Sequence, residues 1–307
     1  MKIRLGYACI SMCLNCSTSS LLTYTHFKKL GDSGYDKLNQ VIISNFKCLE
    51  EILKYNIKND IKFYRLSSHI IPLLTHPSVY VDLNKYESYF KNIGRIINDN
   101  KIRVDMHVDP YYVLNSINED VVKSTINICK IYHNMFKLME IKSNLIFHIG
   151  GKTISKEEGI KRFVDNFELL DKDIQKLILI ENDDKIYNIK DCVNISKVTG
   201  CKIVFDYHHY NCNNEGENIR NYLDYIFNTY DGVPKVHFSS PKDRKNYRAH
   251  HDYVNIDEFI KFLNLLKEYN RDIDIMIESK MKDDALFRII RQLKYLGYNV
   301  KGTTIYL

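Results

Sequence analysis

Short β-rich apolar segments alternate with amphipathic segments of helical period along the whole 307-residue chain. Eight segments rich in β-branched and aromatic residues predict strands, and each is followed by apolar positions at steps of three and four, which predict a helix. This alternation favours parallel strands, since each helix returns the chain to the starting edge of the sheet. The predicted strands lie at 3–7, 63–66, 103–107, 144–148, 177–181, 202–206, 235–238 and 274–278.

The helical segments supply the other half of the repeat. Three of them begin with a reciprocal capping signature, in which a cap side chain and an acid three residues later each satisfy a backbone donor. These pairs are Ser116 with Glu119, Ser155 with Glu158, and Asn255 with Glu258. The predicted helices lie at 36–55, 85–99, 118–139, 156–170, 189–198, 218–229, 257–269 and 283–296.

Eight strand–helix units close naturally as a barrel. An open, doubly wound sheet more often carries a glycine-rich phosphate turn after its first strand, and no such turn follows Tyr7. No Pro/Gly/Ser-rich linker interrupts the alternation, and this length is ordinary for one barrel. The sequence therefore predicts an α/β fold of the TIM-type (β/α)8 barrel class, with residues 1–307 as a single domain.

The amino-acid composition indicates which class of protein this is and where it is expected to act. Hydrophobic residues make up 45% and charged residues 27%, and no apolar run approaches the roughly 20 residues of a membrane span. The first predicted strand follows Met1 and Lys2 directly, so we expect no signal peptide, a cytoplasmic location and reduced thiols. A net charge of +6 permits a polyanionic partner, although lysines on solvated helix faces account for much of it.

Six of the predicted strands end in a residue that can bind a metal ion. In a TIM barrel the carboxyl ends of the strands converge on one face, so side chains there meet around the barrel axis. One strand-end histidine can be a hydrogen-bonded core residue. Three imidazoles and three carboxylates in one buried mouth are costly unless a cation is present. The six residues are His107, His148, Glu181, Asp206, His237 and Glu278.

These residue types indicate the chemistry. Mixed histidine and carboxylate ligands suit Zn²⁺, Mn²⁺ or Fe²⁺. Six ligands exceed the need of one ion, which predicts a cluster bridged by a carboxylate such as Glu181. Closely spaced divalent ions are typical of phosphoester hydrolysis, because they activate a nucleophile and stabilise both the attacking and the leaving oxygen.

Further candidates lie beside the six. His209 follows Asp206 by three residues, and His250, with His251, lies in the loop after the seventh strand, where a third metal ion is expected. Lys235 lies two residues before His237 and so on the same inward face. It is either a counter-charge to the carboxylates or a modified lysine that acts as a ligand.

The ordered set of motifs resembles the ultraviolet damage endonuclease family, a relative of the three-metal abasic-site nucleases. The similarity covers nearly the whole chain, and the set is far more specific than any one motif. The matching stretches are Arg4-Leu5-Gly6-Tyr7, Arg65-Leu66-Ser67-Ser68-His69, Ile71-Pro72, His76-Pro77, Met106-His107, His148-Ile149-Gly150-Gly151, Glu181-Asn182-Asp183-Asp184, Asp206-Tyr207-His208-His209, Pro234-Lys235-Val236-His237 and Glu278-Ser279-Lys280.

The resemblance implies a DNA repair endonuclease, acting as a monomer, that nicks damaged double-stranded DNA immediately 5′ to ultraviolet photoproducts. It implies a cluster of divalent ions, with three Mn²⁺ expected and Zn²⁺, Mg²⁺ or Co²⁺ as alternatives. Glu181, Lys235 and His237 would be the catalytic residues, and Lys235 corresponds to a lysine that can be carboxylated. The implied ligands are His107, His148 and Glu181 for one ion, Glu181, Asp206, His237 and Glu278 for a second, and His209 and His250 for a third.

The resemblance also implies how DNA would bind. Tyr7 would line the pocket for a flipped lesion, and the loop after His107 would wedge into the duplex. Pro110 stands where the family often has a probing glutamine, whereas Tyr111, with Tyr112, retains aromatic rings that can stack on unpaired bases. The turn that ends in Lys152 contains two glycines and allows close approach of a phosphate.

Rival functions are also compatible with parts of the sequence. Cys9, Cys13 and Cys16 have the C-x3-C-x2-C spacing of a radical SAM iron-sulfur site, although Asn15 replaces the usual aromatic and no glycine-rich acidic element follows the second strand. That enzyme class would leave the six strand-end ligands without a role. An abasic-site endonuclease of the same barrel type, a metal-dependent sugar isomerase and a non-catalytic DNA-binding protein complete the set of rivals.

Overall fold

Eight parallel strands close into a barrel in the computed structural model, which describes residues 1–152 and 154–307. Each strand pairs with the next one along the chain, and β1 closes the ring by pairing in parallel with both β8 and β2. This confirms the predicted TIM barrel. The strands are β1 (Lys2–Ala8), β2 (Phe63–Leu66), β3 (Arg103–His107), β4 (Leu145–His148), β5 (Ile178–Glu181), β6 (Lys202–Asp206), β7 (Lys235–Phe238) and β8 (Ile273–Ile277).

Helices surround the barrel, and the eight predicted helices are all present with small shifts at their ends. Three short helices, α1, α6 and α8, were not predicted. The helices are α1 (Tyr24–Lys29), α2 (Gly34–Lys58), α3 (Glu87–Asp99), α4 (Glu119–Met139), α5 (Lys156–Phe167), α6 (Lys172–Gln175), α7 (Ile189–Thr199), α8 (Tyr207–Cys212), α9 (Arg220–Asn228), α10 (Ile256–Lys267) and α11 (Lys282–Tyr295).

Two of the three predicted N-cap residues are confirmed, although neither shows the reciprocal bond from the glutamate among the described residues. Ser155 caps α5 by accepting a hydrogen bond from the backbone of Glu158, and Asn255 caps α10 in the same way. The cap of α4 is Asn118 rather than Ser116, whose hydroxyl instead accepts a hydrogen bond from the Asn118 backbone. The chain therefore makes a side-chain-stabilised turn just before α4 and enters the helix two residues later than the signature predicted.

The barrel is extended at one edge by a hairpin that was not predicted. Strands β9 (Asn299–Lys301) and β10 (Thr304–Tyr306) pair with each other, and β10 runs antiparallel to the first half of β1. The second half of β1 pairs with β2 at Tyr7 and Ala8. The hairpin therefore fills the side of β1 where β2 does not reach.

Alternation along the strands separates an apolar outer layer from an interior that contains a small apolar cluster of Ile146, Leu179 and Val204 and is polar at the ligand end. On β1, Ile3, Leu5 and Tyr7 are buried between the barrel and the helices in the main hydrophobic core. Residues of the opposite parity point inward, and at the carboxyl ends of β3 to β8 these are the predicted metal ligands. No helix among the described residues is both long enough and apolar enough to cross a membrane.

Candidate metal centre

The carboxyl ends of β3 to β8 bring all six strand-end ligands into two groups that share Glu181. His107, His148 and Glu181 form the first group, with one ligand atom from each within 4.8 Å of the others. The second group, which meets the same distance limit, contains Glu181, Asp206, His237 and Glu278. Residues as far apart in sequence as 107 and 278 therefore meet, because parallel strands in register end at the same face.

Glu181 lies between the two groups and presents a different oxygen to each. Its Oε2 atom lies 3.0 Å from His107 Nε2 and 3.8 Å from His148 Nε2. Its Oε1 atom lies 2.7 Å from His237 Nδ1. The carboxylate is buried, so both oxygens are fixed toward their neighbours. Glu181 therefore offers one carboxylate oxygen to each group of candidate ligands.

Arg65 is a site residue that our sequence analysis missed. Its Nη2 atom lies 2.6 Å from His237 Nε2, its Nη1 atom donates to Glu278 Oε1, and its Nε atom donates to Asp105 Oδ1 at 3.1 Å. Arg65 occupies the last inward position of β2 and pairs in register with Asp105, the inward residue of β3 that precedes the ligand His107. Arginine does not bind metal ions, so the strand-end pattern of metal-ligand residue types did not include it.

The residues present fit divalent ions. Two buried polar atoms in the groups, His148 Nδ1 and Asp206 Oδ2, have no hydrogen-bond partner among the described residues. Buried polar atoms are nearly always paired, so these two atoms need a partner that the protein does not supply. The other oxygen of Asp206 accepts a hydrogen bond of 2.7 Å from the His209 backbone, which aims Oδ2 into the second group.

His209 and His250, the predicted ligands of a third ion, have rings with centroids 5.9 Å apart. His209 Nδ1 lies 2.9 Å from the Asn182 carbonyl, and His250 Nδ1 lies 2.7 Å from the Glu278 carbonyl. A carbonyl can only accept, so each neutral ring carries its proton on Nδ1 and leaves Nε2 as the atom that can bind a metal ion. His107 has the same arrangement with the Val108 carbonyl. His251 instead accepts a hydrogen bond from the Tyr253 backbone.

Electrostatics keep the carboxylates charged despite their burial. Burial alone would raise the pKa of Glu181, but the neighbouring His237 holds that pKa well below its usual range. Burial lowers the pKa of His148 to about 4, so this ring is neutral at pH 7. Burial also opposes charge on His209, yet Asp206 and Glu181 raise its pKa to about 9. Protons on histidine therefore offset the carboxylates, and a cation that binds here must displace them.

Lys235 lies one layer deeper in the barrel than the ligands. Its Nζ atom is fully buried, 3.2 Å from Asp105 Oδ2 and 3.1 Å from Asn144 Oδ1. Burial lowers the pKa of Lys235 to about 8, against the attraction of Asp105. The structure thus pairs Lys235 with a carboxylate below the ligand layer, and Asp105 in turn accepts a hydrogen bond from Arg65.

A cavity of about 440 Å³ opens beside the ligands. Its wall includes the side chains of His107, Glu278 and His250 and, opposite them, residues of the loops after β1, β2 and β3, such as Ser67 and Pro110. The cavity is therefore continuous with the candidate metal centre and faces the solvent at the carboxyl end of the barrel.

The predicted DNA-contacting residues have different placements. Tyr7 is completely buried on the outer face of β1 and donates a hydrogen bond of 2.8 Å to Asn56 on α2, so it does not line the cavity. Tyr111 is 84% exposed in the loop after β3. Tyr112 is half-buried, and its hydroxyl donates to Thr75 at 2.7 Å. Lys152 is exposed just after the Gly150-Gly151 turn.

The structure does not support an iron-sulfur site. Cys16 forms a disulfide with Cys48 of α2, with a Cα–Cα distance of 5.7 Å, which removes it from the proposed triad. Of the other two cysteines, Cys13 is exposed and Cys9 is half-buried. The disulfide also departs from our expectation that all thiols are reduced. The triad reflected spacing alone, whereas the partner of Cys16 lies in the next long helix.

Comparison with known proteins agrees with this geometry. The family model described as UV-endonuclease UvdE matches residues 3–304. Among curated proteins, a UV DNA damage endonuclease from Bacillus cereus (strain B4264) is 38% identical over 302 residues, which cover 95% of each chain. A protein of the same name from Bacillus anthracis (strain A0248) is 36% identical over 302 residues, with 95% of each chain covered.

Solved structures give the same result. The crystal structure of SacUVDE superposes with a TM-score of 0.87 at 33% identity and covers 96% of this chain and 99% of its own. Endonuclease IV from Thermus thermophilus has a TM-score of 0.60 at 12% identity, covering 95% of this chain and 99% of its own, and so shows a common barrel fold alone. Because the family match, the curated relatives and the superposition all span nearly the whole barrel, the chain belongs to the UV-endonuclease UvdE family.

Proposed function

We propose that this protein is a metal-dependent endodeoxyribonuclease that nicks duplex DNA immediately 5′ to ultraviolet photoproducts. One observation carries the proposal: the buried carboxylate of Glu181 presents one oxygen to each of two ligand groups beside an open cavity. Two adjacent cation sites at the mouth of a barrel suit phosphodiester hydrolysis. Membership in the UvdE family supplies the substrate class, damaged DNA.

We assign the ligands of three divalent ions, with Mn²⁺ as the expected metal. The first ion would be held by the group that contains His107 and His148, and the second by the group that contains His237 and Glu278, with Glu181 shared. The Nε2 atoms of His209 and His250 would hold a third ion, since both Nδ1 atoms face carbonyls. When bound, such ions supply Lewis-acid activation of the phosphodiester and of the attacking water.

The protein's own groups would hold this arrangement rigid. His237 contacts Glu181 at Nδ1 and Arg65 at Nε2, so one of these two contacts must give way when the ring binds an ion. Arg65 also fixes Glu278, so one guanidinium orients two ligands of the same group. Hydrogen bonds to the outer side of ligands set their orientation, and losing such a partner typically lowers metal affinity or activity about 10- to 100-fold.

Lys235 is proposed to act through this network. It pairs with Asp105, which accepts from Arg65, so its charge reaches the ligands through two hydrogen-bonded partners. Because burial lowers the pKa of Lys235 to about 8, a neutral amine forms there readily, and that is the form that carboxylation requires. We therefore propose a positioning role for Lys235, with carboxylation as the alternative to be tested by mass spectrometry of the intact protein.

Damaged nucleotides are proposed to leave the base stack and enter the cavity of about 440 Å³. Extruding a damaged base costs less than extruding an intact one, since its stacking and pairing are already weakened. Tyr111, exposed at the tip of the neighbouring loop, would stack on the bases that remain unpaired. Gly150 has a φ of +123° and lies so close to Asn115 that no side chain fits there. Lys152, two residues later, would contact the DNA backbone.

We further propose that the protein acts as a monomer in the cytoplasm. The ligands of both groups, the cavity and the exposed Tyr111 all come from one chain, so no residue of a second copy is needed to complete the site.

An incision assay tests the proposed function. The substrate is a 5′-labelled duplex with one cyclobutane dimer in the presence of Mn²⁺, with undamaged and abasic duplexes alongside. We expect one product that ends immediately 5′ to the dimer, and Glu181→Gln should lower the rate on the order of 10³-fold. Glu51→Gln, a matched change on the exposed face of α2, should have no effect. Cleavage of the abasic duplex alone would replace the proposal with an abasic-site endonuclease, and no incision of any duplex would overturn it.

A further inference from the structure

Lys282 forms part of the cavity wall, four residues after the ligand Glu278. It is half-buried, and the same cavity is lined by the ligand His107 and by His250. The lysine is therefore within the space that would receive the damaged strand, next to the candidate metal centre but outside both groups of ligands.

The backbone at Lys282 has a conformation that lysine rarely adopts. Its φ is +45°, in the left-handed region that is unfavourable for residues with a Cβ atom. Neighbouring contacts enforce it: the Lys282 amide donates to the Ser279 carbonyl at 3.2 Å, and the Met281 amide donates to the Asp252 carbonyl at 3.1 Å. The next residue, Asp283, is buried and accepts a hydrogen bond of 2.6 Å from the Met12 amide. A strained residue that its surroundings hold in place is typical of a functional site.

The Lys282 ammonium forms no ion pair among the described residues. In contrast, Arg65, the other strong cation of the cavity wall, is shared by Asp105, Glu278 and His237. The Lys282 charge does reach across the cavity: burial raises the pKa of the Cys9 thiol, and Arg65 and Lys282 oppose that rise. An unpaired ammonium in a cavity beside metal ligands is suited to bind a phosphate oxygen.

We propose that the Lys282 ammonium binds one phosphodiester of the damaged strand, 3′ to the cut, and thereby sets the position of the strand over the metal ligands. The inference rests on the proposed function, because it takes damaged DNA as the substrate. It adds a phosphate-contacting residue that is neither a ligand nor a member of the loop that carries Tyr111.

Single methylphosphonates, which are neutral, test the contact one phosphate at a time. Each duplex carries one dimer and one methylphosphonate, and the methylphosphonate is moved by one position from duplex to duplex. The affinity of wild type and of Lys282→Gln for each duplex is measured with Ca²⁺ in place of Mn²⁺. We expect Lys282→Gln to weaken binding about tenfold and to reduce the slope of log K against log salt concentration by about one. At one position 3′ to the cut, the methylphosphonate should weaken DNA binding by the wild-type protein about tenfold and DNA binding by Lys282→Gln less than about twofold.

Lys294→Gln is the matched control, since Lys294 is exposed, lies on the same helix α11 and does not line the cavity. It should show the wild-type profile at every position. The methylphosphonate at each position lowers the affinity of each protein by some factor. If this factor is the same for Lys282→Gln and wild type at every position, the proposed contact is overturned while the proposed function stands. If wild type neither binds nor nicks the damaged duplex, the proposed function itself fails.

Lys282→Gly separates a role in binding from a role in folding. Glycine is favourable at a φ of +45°, so this variant should have a Tm equal to or above that of wild type and an unchanged metal content, yet bind damaged DNA as weakly as Lys282→Gln. A lower Tm together with a loss of metal would show that Lys282 supports the fold, and would overturn the proposal.

Discussion

His209 is the residue at which protons and metal ions compete most directly. Asp206 and Glu181 stabilise its protonated form and raise its pKa to about 9, although burial opposes this. A metal ion can bind its Nε2 atom only after that proton leaves. Between pH 6 and 9 the ring is mostly protonated in the absence of metal, so a rise in pH should favour binding.

We therefore expect the affinity of the metal-free protein for Mn²⁺ to rise by up to about tenfold per pH unit below pH 9 through His209, which releases one proton. Isothermal titration calorimetry in buffers of different ionisation enthalpy measures this release. His209→Asn should remove one proton from the total, whereas His133→Asn, a half-buried histidine on α4, should not change it. A proton release that is the same in wild type and His209→Asn would contradict the assignment.

Residue positions at the site were predictable where strand parity fixed them. The six candidate ligands were predicted because each ends a predicted strand, and the structure brings them together. The same parity places Tyr7 on the outer face with Ile3 and Leu5, so Tyr7, which the family resemblance implied as a pocket residue, does not line the cavity. The Cys16–Cys48 pair depends on where α2 packs, which no local pattern in the sequence contains.

At the scale of elements, the connection between β7 and α10 is the most basic loop at the ligand end of the barrel. Residues 241–250 form a compact turn, with Pro241 bridged to His250 and the Lys242 amide donating to the Ala249 carbonyl at 2.6 Å. Asp243 uses its carboxylate to accept from the backbone amides of Lys245 and Asn246. The turn therefore holds several exposed cationic side chains outward next to the candidate metal centre.

We expect this loop to bind the DNA backbone without reading its sequence. Changing Lys242, Arg244 and Lys245 to Gln should weaken binding to damaged and undamaged duplexes equally. It should also reduce the slope of log K against log salt concentration by about two to three. The control changes three exposed lysines of the opposite mouth, which lie before β2, β3 and β4, namely Lys58, Lys101 and Lys142. The affinity of both triple variants for DNA is measured from low to high salt concentration. Equal slopes of log K against log salt concentration for the two variants would contradict the prediction.

Long helices and strands were predictable from the periodicity of their apolar residues, and short ones were not. The hairpin of β9 and β10 has strands of three residues each, too short to show alternation, and it is stabilised by pairing with β1 rather than by its own sequence. Helix α8 was missed because it has only six residues, too few to show a helical period, and it follows directly on Asp206 at the end of β6.

At the scale of the whole molecule, the candidate ligands connect six of the eight barrel strands, β3 to β8. The eight-unit alternation was sufficient to predict this architecture, because parallel strands with helical returns have few ways to close. The closure of the ring through β1 also followed from that count. Bound ions would cross-link strands that are far apart in sequence, so metal binding and the stability of the fold are coupled.

We expect Mn²⁺ to raise the Tm by several degrees, because a ligand at about 100 times its Kd adds about 2.7 kcal/mol. A chelator should reverse the increase. Glu278→Gln should lose most of the metal-dependent increase, while Glu268→Gln, on the exposed end of α10, should retain it. Differential scanning fluorimetry with and without Mn²⁺ provides the measurement; an equal increase in both variants would remove Glu278 from the ligand set.

The double pairing of β1 has a kinetic consequence. Ile3 pairs with Ile273 on β8, so this ring-closing contact joins residues about 270 positions apart, and the pairing of Ile3 with Ile305 on β10 spans about 300. Contacts between such distant residues form late, because the entropy of closing so large a loop must be overcome first. Refolding should therefore pass through an open, curved sheet, and Glu278, just after β8, would be among the last ligands to reach its place.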